Sequence, residues 1–484
     1  MKSPLREYIS LAAVLLPTLF VLFVGDTWFL MYNDSQRQIT VIRSIVNGGM
    51  VPPKETLMEG YEVVYPWAYH LMIAATQLLT GFPIPKLFEV ISMISFYLLF
   101  AVLFIHLRKK TKAPVTAAML AVYGCNFAWL FFLKDLTTIL FMGLPFREVM
   151  PGFYFNSYTD SMNVVNIGKI NYLPAVFSNP QLNGFALLLF FFALLSNEKR
   201  SKILFGSALL AVHPVFFILV CILSPLMIVA GFLALPFILT YMAGIKKIGG
   251  VGSTLIGWDL GFPVSIPFEP IIFLMGFGTI GIAYILNLIK KPKRTDIIYL
   301  IIISINNFMS VWWKIAFQPF AVIQFVENEK IYKWVDRLWF LGILTPVFLW
   351  FNIGLLSNMS LPVLINSNDA LSERLQVSES GFWTSRAEGF EQAYWARLNT
   401  KKTWIDNIGI NPRKPIYLAM MGSEIFVSSN LAPYYGESEV NLRLSEMEGI
   451  LNDCKDWEGY ILDSNSSCGR PVVFENSEGI ASVG

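Results

Sequence analysis

The chain has 484 residues, of which 55% are hydrophobic and only 14% charged. Soluble domains carry about 25% charged residues, so an ordinary water-soluble globule is excluded. The net charge of +2 gives no basis for a nucleic-acid partner, and four cysteines are too few for a disulfide scaffold.

Long apolar runs punctuated by basic clusters predict a polytopic α-helical membrane protein, with about 11 transmembrane helices. Lys2 and Arg6 place the start of the first span, residues 8–24 interrupted at Pro17, in the cytoplasm. No small-residue cleavage site follows, so this segment reads as a retained anchor. Residues 25–86 form a first outer loop. The second span, 87–106, ends at His106 and the cluster Arg108-Lys109-Lys110 with Lys112, which marks an inner end. A third span, 115–133, leads to a second outer loop, 134–172, which holds Arg147, Glu148, Asp160 and Lys169. The fourth span, 175–196, returns to Lys199-Arg200 and Lys202.

The next basic cluster, Lys290-Lys291 with Lys293 and Arg294, is again an inner end, and the span 271–288 leads to it. Residues 203–244 therefore hold an odd number of crossings. Three short helices, broken near His213-Pro214 and Ser224-Pro225, fit best, since broken helices are tolerated where protein shields them. Further spans are 297–313 and 338–356. Segment 314–333 is ambiguous, and an eleventh crossing falls at 312–326. From residue 357 the composition becomes that of a small soluble α/β domain. Strand-like runs occur at 415–420 and 459–462, and an amphipathic helix at 388–400. The expected domains are thus a transmembrane domain over 1–356 and an extracytoplasmic soluble domain over 357–484. Cys454 and Cys468 could pair there, and disulfides persist only in an oxidising compartment.

The first outer loop is the most informative stretch. Asp34 opens it at a membrane edge, with Arg37 three residues on and on the same face if the segment is helical. Arg43-Ser44-Ile45, a turn at Asn47-Gly48-Gly49 and Pro52-Pro53 follow. Tyr65-Pro66-Trp67-Ala68-Tyr69-His70 then enters an amphipathic run too short to cross a bilayer.

These residues resemble the first outer loop of the GT-C glycosyltransferases, which use polyprenyl-phosphate-linked sugars and include protein O-mannosyltransferases and aminoarabinose transferases. The matching positions are Asp34, Arg43 to Ile45, Gly48-Gly49, Pro52-Pro53 and Tyr65 to His70. The departure is at the acid: many relatives have an adjacent acidic pair, whereas Ser35 follows Asp34. The resemblance implies a GT-C-like fold, a polyprenyl-phosphate sugar donor, a glycan, lipid or protein acceptor, and inversion at the anomeric carbon. Trp312-Trp313 is followed by Lys314-Ile315, so the WWDYG-type motif of oligosaccharyltransferases is absent.

Asp34 is the candidate catalytic residue. Glycosyl transfer needs a base for the acceptor proton, or a carboxylate that holds a metal or the nucleophile. The plainer role is a helix N-cap. Arg37, Arg43 and Arg337 are candidates for the donor phosphate, because a guanidinium fork matches phosphate oxygens. Arg337 reads equally as a snorkelling anchor. Tyr65 and His70 belong to the loop motif. His213 is either a donor contact or a structural histidine. Asp160 and Glu148 are candidates for a second carboxylate, and a divalent metal ion is a candidate cofactor. No Walker loop, no GxGxxG after a strand and no HExxH occurs.

Two functions compete. One is a membrane glycosyltransferase with a lipid-linked donor, acting on the extracytoplasmic side. The other is a transporter or flippase whose broken helices line a pathway. The chain has no internal repeat and keeps its polar residues in outer loops and the C-terminal part, which favours the enzyme.

Overall fold

The structure is a computed structural model of the chain. It describes residues 3–24, 33–48, 52–55, 62–63, 66–82, 84–125, 127, 130, 137, 141–143, 180–237, 239, 270–304, 313–344, 376–377, 383–384, 404–406, 437–452, 460–463, 471–476 and 479–483. The chain forms two compact units, neither continuous in sequence. The first comprises Met1–Trp28, Glu89–Ala234 and Phe262–Met359; the second comprises Phe29–Phe88, Leu235–Gly261 and Ser360–Gly484.

The helices of the N-terminal part are α1 (Ser3–Val24), α2 (Asn33–Gly48), α3 (Ala68–Thr80), α4 (Ile84–Leu107) and α5 (Pro114–Tyr123). A run of short helices follows: α6 (Pro180–Leu195), α7 (Lys199–Val212), α8 (Pro214–Leu223) and α9 (Ile228–Leu233). Then come α10 (Pro270–Lys290), α11 (Arg294–Ser304), α12 (Phe317–Phe325), α13 (Glu329–Arg337) and α14 (Glu437–Asn452). Among the described residues no helix is long and apolar enough to cross a membrane.

In the first unit α1 and α5 are pinned at two levels. The Glu7 carboxylate accepts the backbone N–H groups of Val115 (2.8 Å) and Thr116 (3.2 Å), so α1 caps the start of α5. The Tyr123 hydroxyl donates to Ala13 O at 2.7 Å. The helix α5 stops there because Gly124 turns left-handed at φ 75°. The third span expected over 115–133 is therefore broken at its tenth helical residue.

A second break lies within α10, where Gly278 has φ 54°. Its neighbours are satisfied from outside the helix: Thr279 N donates to Cys125 O (3.1 Å), and Gln318 Nε2 donates to Gly276 O (3.2 Å). Around this junction sits an aromatic core. Phe317 meets Phe277 with ring centroids 4.4 Å apart and Tyr284 at 4.9 Å, and Tyr299 meets Phe320 at 4.6 Å. Such pairs add about 0.5–1.5 kcal/mol each beyond burial. The polar ends of these rings are satisfied too. Tyr284 donates to Asp296 O (2.9 Å), Tyr299 to Trp313 O (2.8 Å), and the Trp313 indole to Val215 O (2.8 Å).

The short helices break where proline requires it. The helix α7 ends at His213 before Pro214, and α8 ends at Ser224 before Pro225, as expected from the sequence. A one-turn 3-10 helix, Pro225–Met227, leads into α9. Close approach of α7 and α9 leaves a Cβ at Gly206 only 3.0 Å from that of Ala230, and the Ser207 hydroxyl bonds Ala230 O at 2.7 Å.

Other expectations shift. The helix α1 runs unbroken through Pro17, α2 continues through Asn47 and Gly48, and the ambiguous segment 314–333 contains α12 and the start of α13. The amphipathic run at 388–400, the strand at 415–420, and Cys454 and Cys468 lie outside the described residues.

The second unit holds α2, α3, α14 and two sheets. A four-stranded sheet has the order β3-β4-β6-β5, from β3 (Trp404–Asp406), β4 (Tyr460–Asp463), β5 (Val472–Asn476) and β6 (Gly479–Val483). Strands β3 and β4 are parallel, the other pairs antiparallel. The link from β3 to β4 includes α14, which buries the stripe Val440, Met447, Ile450 and Leu451. The strand expected at 459–462 is β4. A two-stranded pair joins β1 (Gln376–Val377) to β2 (Trp383–Thr384).

Candidate functional site

The candidate site is organised by α2 and α3 in the second unit. The helix α2 starts at Asn33, so Asp34 and Arg37 lie in its first turns, and the helical spacing expected between them holds. Residues 38–45 of the helix are buried apart from the half-buried Arg43, with Gln38, Thr40 and Ser44 as polar members.

Two tethers fix α2. The Ser44 hydroxyl donates to Lys54 O at 2.6 Å, which draws the Pro52-Pro53 turn onto the helix. That turn is closed by Val63 N to Pro53 O (2.9 Å) and an antiparallel bridge between Lys54 and Glu62. At the other tether, His70 Nε2 is hydrogen-bonded to Gln38 Oε1, and both side chains are buried. His70 follows Tyr69, whose ring stands edge-on at 5.9 Å. Complete burial pushes the Tyr69 phenol well above its ordinary pKa, so it stays a neutral hydroxyl. Trp67 opens α3 and packs on Phe237 at 5.1 Å.

Gln38 lies four residues beyond Asp34, about one helical turn on, so the two positions share a face of α2. The imidazole of His70 is thereby tied to the face that begins with Asp34. Arg43, half-buried, lies further along the same helix. The site residues brought onto this helix pair are Asp34, Arg37, Arg43 and His70. Tyr65 and Asp160 lie outside the described residues.

His213 and Arg337 belong to the first unit. His213 is buried at the junction of α7 and α8, where its Nδ1 accepts Phe216 N at 3.4 Å and its ring packs on Phe216 at 4.6 Å. This is the structural role considered for it. Arg337 is exposed at the end of α13, beside Asp336, which pairs with Arg6.

Two residues of this region escaped the sequence reading. Gln38 is signalled only by its spacing from Asp34. Glu55, 2% exposed, is a buried carboxylate in the proline turn, a rare place for a charged residue. Among the described residues no group of three or more His, Cys, Asp or Glu side chains is arranged to hold a metal ion.

No family model matches the chain, and no curated protein matches it. Among solved structures, the chain is similar to ArnT from Cupriavidus metallidurans bound to undecaprenyl phosphate. The TM-score is 0.53 at 9% identity, covering 98% of this chain and 97% of that one. At that identity the likeness speaks to the fold: this chain has a mostly helical, GT-C-like fold.

Proposed function

We propose that the chain is a membrane glycosyltransferase of the GT-C type, moving a sugar from a polyprenyl-phosphate donor to an acceptor on the extracytoplasmic side. The observation that carries this reading is the likeness over nearly the whole chain to a fold solved with undecaprenyl phosphate. The loop motif adds to it, since Asp34, Arg37, Arg43 and His70 fall on one helix pair. A bilayer setting is supported by apolar side chains turned outward. On α4 these are Val90, Ile94 and Leu98 at four-residue spacing, and on α1 Leu5, Leu11 and Leu15. The spans themselves rest on the sequence.

In the proposed reaction Asp34 accepts the proton of the acceptor hydroxyl as its oxygen attacks the anomeric carbon. The bond from that carbon to the phosphate oxygen breaks, and the polyprenyl phosphate departs with the electron pair. Arg37 and Arg43 are the proposed counter-charges for the phosphate, and Tyr65 and Asp160 remain proposed substrate contacts. Of the two readings of Arg337, its place beside the Arg6–Asp336 pair favours the anchor. His213 is accounted for by its helix cap.

The test is Asp34→Asn in proteoliposomes, measuring transfer of labelled sugar from a polyprenyl donor. Loss of a general base lowers the rate by roughly 100- to 10,000-fold, while loss of a cap costs only about 1 kcal/mol of stability. A well-folded variant with near-normal turnover removes Asp34 from the chemistry. Transport of the intact lipid without sugar transfer would instead support the flippase reading, for which the breaks at His213 and Gly278 provide the helical discontinuities.

A further inference from the structure

At one end of the first unit three helical turns meet. Lys110 Nζ lies 2.7 Å from a Glu327 carboxylate oxygen, joining the α4–α5 turn to the α12–α13 turn. Lys293 Nζ donates to Gln324 Oε1 at 3.0 Å, bringing the α10–α11 turn to the same place. The Arg6–Asp336 pair and the bond from the Tyr332 hydroxyl to Ala113 O (3.1 Å) fix α13 and the start of α1 there.

This end is rich in exposed cations. Arg108, Lys109 and Lys112 stand on one turn, and Lys290, Lys291 and Arg294 on another. The acids interspersed with them, Glu327 and Glu329, are each engaged by a lysine, Lys110 and Lys333. Both carboxyls are held below their ordinary range, in each case first by the hydrogen bond to that lysine. The remaining cations are therefore a surplus.

Two features say what meets this surplus. Large apolar side chains are exposed within a few residues of the basic turns: Ile105 before Arg108, Ile289 before Lys290 and Ile297 after Arg294. A cationic rim directly beside exposed aliphatic surface is the profile of a bilayer boundary. The helix α13 repeats that profile within nine residues. It buries Ile331, Tyr332 and Val335, and exposes Lys330, Lys333 and Trp334. An indole among lysines suits the headgroup layer.

We propose that this end of the first unit is a docking surface for anionic phospholipid headgroups, with α13 lying in the headgroup layer. The inference rests on the membrane reading above but not on the glycosyl transfer. The occupant is bilayer lipid, because the rim is continuous with exposed apolar surface that a free phosphate would leave in water.

The test uses the full chain in phosphatidylcholine vesicles, doped with spin-labelled phosphatidylglycerol or spin-labelled phosphatidylcholine. Electron spin resonance reads the fraction of each label that is motionally restricted at the protein. The wild type should prefer the anionic label by about threefold at low salt. The preference should fall towards unity in the Arg108→Gln, Lys109→Gln, Lys291→Gln, Arg294→Gln variant, and in wild type at about 0.5 M salt, where the Debye length is only a few ångström. If the variant fails to fold, the salt titration of the wild type decides alone. Restricted lipid with no charge preference, or a preference that neither salt nor the substitutions reduce, overturns the surface while leaving the membrane reading intact. No restricted lipid of either kind overturns the membrane reading, and this surface with it.

Discussion

Asp296 shows how a single buried group sets a pH dependence. It lies in the first turn of α11, where the helix dipole favours an acid. Yet its side chain is fully buried, and Oδ2 has no hydrogen-bond partner among the described residues. Burial is the largest influence and raises its pKa; Lys293 and the Thr295 hydroxyl pull it partly back. A carboxyl whose folded pKa is raised contributes stability below its unfolded value, and that stability is lost as pH rises through the folded value. At neutral pH the charged form is therefore a cost. Asp296→Asn is expected to stabilise the fold at pH 7 by on the order of 1 kcal/mol, seen as a higher thermal midpoint, and to lose that advantage towards pH 4. Melting curves at both pH values check this; an equal or lower midpoint at pH 7 contradicts it. At this scale the sequence was uneven as a guide. Asp34 and His70 stood out because a loop motif frames them. Gln38 and Asp296 did not, since their importance comes from burial and from partners on other elements.

Gly124 governs a junction between elements. It ends α5 with φ 75°, and a Cβ there would fall 2.2 Å from Gln318 Oε1. The same glutamine bonds Gly276 O at the break in α10. Gly124→Ala combines a left-handed strain of about 1–2 kcal/mol with overpacking of about 1–3 kcal/mol. It should destabilise by roughly 2–5 kcal/mol, and Gly124→Ala in a Gln318→Ala background should cost less, because only the strain remains. Chemical or thermal unfolding of the four proteins tests the cycle; equal costs in both backgrounds would show that the amide does not compete for the space. Breaks at proline were legible because proline forbids helix locally, as at His213-Pro214 and Ser224-Pro225. The early end of α5 was not: an apolar run continues past Gly124, and the positive φ of that glycine and its packing against Gln318 emerge only in the fold. Pro17 misled in the opposite sense, since α1 passes through it.

On the scale of the whole molecule, the second unit joins residues from three stretches of chain, Phe29–Phe88, Leu235–Gly261 and Ser360–Gly484. Such a grouping was invisible in the sequence, where composition changes only near residue 357. The proposed extracytoplasmic placement of residues 357–484 can be tested at its cysteines. Cys454 or Cys468 should then react, after mild reduction of intact cells, with a membrane-impermeant thiol reagent. Labelling only after permeabilisation would put that segment inside.

The central claim is tested most directly by an experimental structure with polyprenyl phosphate bound. The account predicts phosphate density beside the first turns of α2, within reach of Arg37 and close to the Asp34 carboxylate. Phosphate bound far from Asp34 under saturating lipid would contradict it.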